Sequence, residues 1–343
     1  MIPVLDKNNI PLMPCSESRS RTLINSGRAI KYYQKGIYCI KLIGEPSARN
    51  YQEVVLGIDP GSKREGYTVL TKKAVVLNIT SNTPSWITNK METRRNLRKA
   101  RRQRKTPYRK MRPNRSASKQ KERIPPSTRA RWDAKLRIIK LLKRILPISS
   151  INVEDFSSRT FKGKQPVNKI IAIMQNGKNY FHKEVEKLGI ELCLSKGYST
   201  HQYRVQRGFS KLTSKNKLDY VWEAHNVDSH CLAEMVLNIK VRPDKKIHIL
   251  TFLEHKRRQL HKQVPTKKNI RKRDGGTISL GLSRGSVVIW KNKIIGYIGG
   301  YCKYGISIHE IKTSYLKMDN RITQAAKLKD IKVFYHTRYV IYL

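Results

Sequence analysis

The stretch Val54-Val55-Leu56-Gly57-Ile58-Asp59-Pro60-Gly61-Ser62 decides the fold. Its aliphatic and β-branched run reads as a buried strand. Pro60 and Gly61 end the strand at once, because proline donates no N–H and glycine accepts unusual backbone angles. Asp59 is thereby held at the carboxyl end of a rigid core strand. A fold can place a metal-binding carboxylate there with little freedom. Gly66-Tyr67-Thr68-Val69-Leu70 reads as the returning strand of a hairpin. Runs 53–59, 66–71 and 74–80 together predict an antiparallel meander. Taken alone, Asp-Pro-Gly is an ordinary edge turn, so the rest of the chain has to decide.

Downstream, Trp132, Leu136, Ile139, Leu142 and Leu146 share one face of a helix over 129–147, which Pro147 closes. A strand follows at 148–156 and carries Glu154 and Asp155 near its end. Neighbouring strand residues point to opposite faces, so only one of the two can face Asp59. Segment 178–189 reads as a helix and 190–194 as a strand. Residues 196–220 are polar and basic, with Tyr198, His201, Tyr203 and Arg204 among them, and show no clear element. A further helix begins near Asn226, which is suited to cap it. His225 and Asp228, three apart, then lie close together at its start.

The order hairpin, third strand, helix, strand, helix, strand, helix resembles an RNase H-like α/β fold. In that fold Asp59, Glu154 and Asp228 converge. Three carboxylates brought together repel one another and demand a cation. Hard oxygen donors without a Cys/His cluster point to magnesium, with manganese the alternative. Two ions roughly 4 Å apart serve phosphodiester displacement by stabilising the attacking and leaving oxygens. His225 is placed to take a proton from the attacking water or to touch the scissile phosphate. Each residue also has an ordinary reading, as a turn residue, a surface strand residue, a helix-terminal charge or a packed histidine. Their joint placement favours the site.

Charge names the partner. The 343 residues include 72 Lys and Arg against 24 Asp and Glu, a formal net charge of +48. A chain so basic needs a polyanion, and nucleic acid neutralises it through phosphate contacts. No apolar run approaches the ~20 residues of a spanning helix, so a membrane is not expected. The amino terminus has no basic-then-apolar leader pattern. The five cysteines are scattered and form no Cys-x-x-Cys pair, which argues against disulfides and structural zinc. The expected setting is intracellular: cytoplasm and nucleoid, or organelle stroma for an organelle-encoded chain.

The densest charge lies in Arg94-Arg95-Asn96-Leu97-Arg98-Lys99-Ala100-Arg101-Arg102-Gln103-Arg104-Lys105, where eight of twelve residues are basic. The composition suits a helix, yet no apolar face exists to pack it. We expect it to order against a nucleic-acid backbone through all eight basic residues. Arg257, Arg258, Arg271, Lys272 and Arg273 form a second basic segment. The predicted organisation is a small opening module over 1–50, a first core piece over 51–89, an arginine-rich helix and loop over 90–128, the second core piece over 129–240, and a basic, β-rich region over 241–343. The opening module is expected to hold a short basic helix over 18–34 and a strand at 37–42. In the last region 286–290 and 294–298 read as a hairpin, 306–309 as a third strand, and the whole as a small barrel.

Gly57-Ile58-Asp59-Pro60-Gly61-Ser62, Val153-Glu154-Asp155-Phe156 and His225-Asn226-Val227-Asp228-Ser229 resemble the three split motifs of a RuvC nuclease domain. Pro11-Leu12-Met13-Pro14 is similar to the amino-terminal signature of the transposon-encoded IscB and IsrB proteins. The tract from Arg94 to Lys105 is similar to their bridge helix. Ser279-Leu280-Gly281 with Arg284-Gly285 resembles their target-interaction domain. IscB proteins carry an HNH nuclease between the second and third motifs. Here only 74 positions separate Glu154 from Asp228, so the chain resembles IsrB, the form without HNH. The resemblance implies a large guide RNA (ωRNA), a double-stranded DNA target beside a short motif, and nicking of the non-target strand. It implies a monomer within a ribonucleoprotein, in which guide pairing reads the sequence. Two other readings stay open: a structure-selective resolvase that acts without RNA, and a catalytically silent RNA-binding protein.

Overall fold

The computed structural model describes residues 1–105, 124–155, 169–212, 220–252, 278–283, 285–302, 304–311, 321–335 and 339–342. The chain divides into two compact units: Met1–Lys31 with Cys39–Ile247, and Tyr32–Tyr38 with His248–Leu343. No described helix is long and apolar enough to cross a membrane.

The chain opens with β1 (Ile2–Leu5), β2 (Pro11–Cys15), helix α1 (Glu17–Asn25), β3 (Ala29–Gln34) and β4 (Ile37–Leu42). The Pro-Leu-Met-Pro stretch is thus a strand, and it pairs antiparallel with β1. β4 lies parallel to β1 on its other side, through Val4↔Ile40 and Leu5↔Lys41. The helix expected over 18–34 ends at Asn25, and Ala29–Gln34 is a strand instead. Ser16 caps it through its hydroxyl, which accepts from the Arg19 amide at 3.2 Å, and Gly27 ends it in the left-handed region at φ 67°.

The core sheet starts from the meander expected of the sequence. β5 (Val54–Asp59), β6 (Arg64–Thr71) and β7 (Val75–Asn82) pair antiparallel in turn, and every residue of all three is buried. The chain then runs through α2 (Ile87–Lys105) and α3 (Pro126–Lys143). β8 (Ser150–Asp155) returns parallel to β5, and α4 (Lys169–Glu186) leads to β9 (Glu191–Lys196), parallel to β8. The resulting order, β7-β6-β5-β8-β9, is the strand order an RNase H-like core requires. Helix α5 (Gly197–Gln206) and helix α6 (Trp222–Leu237) complete this unit.

The helices form two layers. α6 lies on the face shown by Gly57, Asp59, Gly66 and Thr68. It approaches so closely that a Cβ on Gly57 would collide with the Ser229 carbonyl oxygen, and one on Gly66 with that of His225. Thr68 Oγ1 and Ser229 Oγ, 2.7 Å apart, link strand and helix side by side. Val55 and Leu70 pack against Ala233 and Leu237 farther along. α3 covers the opposite face, where Lys135 is ion-paired to Glu65 inside the protein. Tyr67 also donates to Glu65, at 2.6 Å. Trp132 of α3 meets Phe181 of α4 at 5.0 Å between ring centroids.

Several local readings change. α4 begins at Lys169, nine residues before the expected start, and α3 ends at Lys143, short of Pro147. α6 begins at Trp222, four residues before the expected start. Asn226 is therefore inside the helix and caps nothing. Its amide donates to the Tyr67 and Ile79 carbonyls at 3.1 Å each and accepts from Thr80 at 2.5 Å, tying α6 to the meander. Segment 196–220, read without an element, holds α5.

In the second unit β10 (His248–Phe252) has its partner at the end of the chain. A short ribbon follows, β11 (Ile278–Ser279) with β12 (Leu282–Ser283). Then come β13 (Val287–Trp290), β14 (Ile294–Cys302), β15 (Gly305–Glu310), β16 (Arg321–Ala326), a 3-10 turn at Leu328–Asp330, β17 (Ile331–Tyr335) and β18 (Tyr339–Tyr342). β18 pairs antiparallel with β10. The expected hairpin is β13–β14, turned by Lys291 and Asn292 in left-handed conformations (φ 49° and 57°). Five strands form an antiparallel sheet in the order β16-β15-β14-β13-β17, which stands where a small barrel was expected. Val288, Ile298, Ile306 and Ile308 make its core.

Candidate active site

Asp59 is the last residue of β5. The parallel register of β5 and β8 ends at Ile58↔Val153, so Asp59 and Glu154 are each the next residue outward. Glu154 pairs with Ser195 of β9, just before α5 begins. Asp155 turns to the other face and accepts from Lys178 of α4 at 2.6 Å. The pleat thus separates the two neighbouring carboxylates, as the sequence required. Asp228 sits on α6 two turns in, above the end of β5.

Carboxylate oxygens of Asp59, Glu154 and Asp228 all lie within 4.8 Å of one another. Among the described residues this is where acidic ligand atoms gather. The crowding has an electrostatic cost. Burial, and then the charges of Asp59 and Asp228, push the Glu154 carboxyl up to about 7. One turn before Asp228, His225 places Nδ1 3.1 Å from Asp59 Oδ2. That contact orients the ring and leaves Nε2 for other work.

Two further side chains join the cluster. Arg204 of α5 donates through Nη1 to Asp228 Oδ1, and Lys211, in the segment after α5, donates to Oδ2. His201 Nδ1 stands 2.8 Å from Arg204 Nη2. Sequence reasoning assigns neither cation a role. Both lie in a polar, basic run whose composition reads as surface, and a side chain's reach across 17 or 24 positions has no period to betray it.

Behind the cluster, Glu234 is fully buried. Burial alone would raise its carboxyl, but His230, Arg207 and the Val241 amide bring it down to about 2. Arg207 holds it through two hydrogen bonds of 2.8 and 2.9 Å, and His230 packs edge-on against Phe209 and Trp222. This network fastens the segment after α5 to α6, and with it Lys211.

The donor set fits a hard divalent cation. All three candidate ligands are carboxylates whose oxygens crowd together, and burial, with the neighbouring Asp59 and Asp228 charges, disfavours the ionised form of Glu154 unless a cation stands between them.

The arginine-rich tract forms α2, and Arg94, Arg95, Arg98 and Lys99 are exposed along it. Arg101, Arg102, Arg104 and Lys105 continue the same helix. Arg257, Arg258, Arg271, Lys272 and Arg273 lie outside the described residues.

No curated protein sequence matches the chain. Two solved structures of RuvC from Thermus thermophilus are similar to it, each at 12% identity. One, in complex with a Holliday junction substrate, covers 57% of this chain and 84% of its own at a TM-score of 0.27. The other covers 54% and 96% at a TM-score of 0.29. The fold assignment rests on the strand order itself. The sequence model of the RRXRR protein family matches residues 2–172, so the amino-terminal half of the chain, through the exposed arginine helix and Glu154, is similar to RRXRR proteins.

Proposed function

We propose that this protein is a metal-dependent DNA endonuclease directed by a guide RNA, and that it nicks the non-target strand beside a short target-adjacent motif. The observation that carries the reading is the convergence of Asp59, Glu154 and Asp228, with His225 against Asp59, at one end of an RNase H-like sheet. Asp59, Glu154 and Asp228 would hold the ions, magnesium or manganese, which when bound supply charge stabilisation and an acidified water. His225 takes the water's proton at Nε2 while Asp59 holds the ring through Nδ1. The rigid strand ends of β5 and β8 keep two carboxylates in place before substrate arrives.

The exposed α2 supports the guide-RNA part of the reading. A resolvase acting on junctions has no need of a basic helix whose residues 92–100 are all exposed. We assign the opening module (1–50), the arginine-rich helix and loop (90–128) and the β-rich region (241–343) to guide and target contacts. Arg257, Arg258, Arg271, Lys272 and Arg273 belong to those contacts.

The test is nicking of a supercoiled plasmid that carries a sequence matched to the RNA copurifying with the protein, in the presence of magnesium. Asp59→Ala and Glu154→Ala are expected to slow nicking by at least about a thousandfold. Undiminished nicking by either variant would sink the assignment. Efficient cutting of a branched junction with no RNA would favour the resolvase instead.

A further inference from the structure

Asp228 is buried, with 3% of its side chain exposed, yet both its oxygens face cations. The two cations differ in how they are held. Arg204 projects from helix α5 and is braced by His201. Lys211 comes from a segment without regular structure, next to the 3.1 Å hydrogen bond from the Leu212 amide to the Glu223 carbonyl. Its side chain is 32% exposed, against 13% for that of Arg204. It faces more than Asp228: Asp59 and Asp228 both favour its charged form, and in turn it eases the ionisation of Glu154. Two divalent ions bring four positive charges to three carboxylates that already face two cations. An ammonium and a metal ion seeking the same carboxylate oxygen repel each other strongly at such range.

We propose that Lys211 is the cluster's own counter-cation, seated on the Asp228 oxygen that a divalent ion needs, and that ion entry displaces it. The inference rests on the metal-site reading above. Arg204, braced on its helix, stays on Oδ1 and keeps Asp228 aimed. Lys211 swings out on its irregular segment and is then free to meet the anion nearest the site, a backbone phosphate.

The consequence is read without catalysis, from Mn2+ binding to the full-length, RNA-free protein followed by electron paramagnetic resonance of the free ion. Lys211→Met is expected to bind Mn2+ about tenfold more tightly than the parent. Lys211→Arg, which keeps the charge, is expected to retain the parent's weaker affinity. Lys211→Gln is a second neutral variant, and melting curves confirm that each protein folds. Equal or weaker Mn2+ binding by both neutral variants overturns the inference. The metal reading meanwhile survives on one condition: the parent binds Mn2+ and Asp228→Asn does not. Absence of Mn2+ binding in parent and neutral variants alike overturns both.

Discussion

Burial, and then the charges of Asp59 and Asp228, hold the Glu154 carboxyl at about 7 against an ordinary value of 4.5. The folded protein therefore binds a proton there that the unfolded chain has already lost. Stability contributed by this group is present below pH ~4.5 and is lost as pH rises toward ~7. Metal-free protein should melt at a falling temperature across that window, and Glu154→Gln should flatten the fall. Magnesium at neutral pH should restore the loss in the parent and leave the glutamine variant unmoved. Glu234 has the opposite sign. Its carboxyl, brought down to about 2 by His230, Arg207 and the Val241 amide against the pull of burial, gives stability above ~4.5 that disappears as pH falls toward ~2. Glu234→Gln leaves the half-buried Arg207 without its charge partner, and urea unfolding should show a loss of about 1–3 kcal/mol. At this scale the sequence reveals Asp59, Glu154 and Asp228 because each stands at or near the end of a periodic element. It hides Lys211 and Arg204, because their contacts come from the path of an irregular segment and from a helix that announces itself poorly.

That helix, α5, shows why some elements are legible and others are not. Its sequence, Gly-Tyr-Ser-Thr-His-Gln-Tyr-Arg-Val-Gln, has glycine at its first position, no side-chain cap and Thr200 as its buried residue. It lacks the apolar stripe that makes α3 readable, with Trp132, Leu136, Ile139 and Leu142 on one side. Tertiary packing fixes it, through Arg204 on Asp228 and the Arg207–Glu234 pair beside its end. The start of α6 is hidden for a related reason. Asn226 is a good cap in isolation, but here its amide is worth more as a cross-link to the Tyr67 and Ile79 carbonyls. Gly57→Val tests how that helix is seated. Pushing Ser229 off the strand should cost about 1–3 kcal/mol or more and lower Mn2+ affinity in whatever fraction remains folded. α2 makes a separate prediction. Replacing Arg94, Arg95, Arg98 and Lys99 together by glutamine should reduce the salt slope of RNA binding by up to about three in a log–log plot, with the melting temperature unchanged because these side chains support no core.

A net charge of +48 on 343 residues makes the whole molecule a polycation. Purified at low ionic strength, it should carry RNA. Stripping that RNA with high salt should lower its solubility on return to dilute buffer, as light scattering would record. A polyanion that binds the folded form more tightly than the unfolded chain should raise the melting temperature with the logarithm of its free concentration.

The seat of α6 has a consequence for how the protein fails. Ser229 rests on strand backbone at Gly57 and His225 on strand backbone at Gly66, so main-chain atoms in contact gauge the span from Asp59 to Asp228. Trimming side chains elsewhere in the core makes the fold easier to lose without resetting that gauge. Val55→Ala or Leu237→Ala should lower the melting temperature while each surviving folded molecule keeps the parent's Mn2+ affinity. Heat would then switch the site off molecule by molecule, with no partly slackened site along the way. Ion affinity measured against temperature should hold level to the edge of the unfolding transition and fall with it.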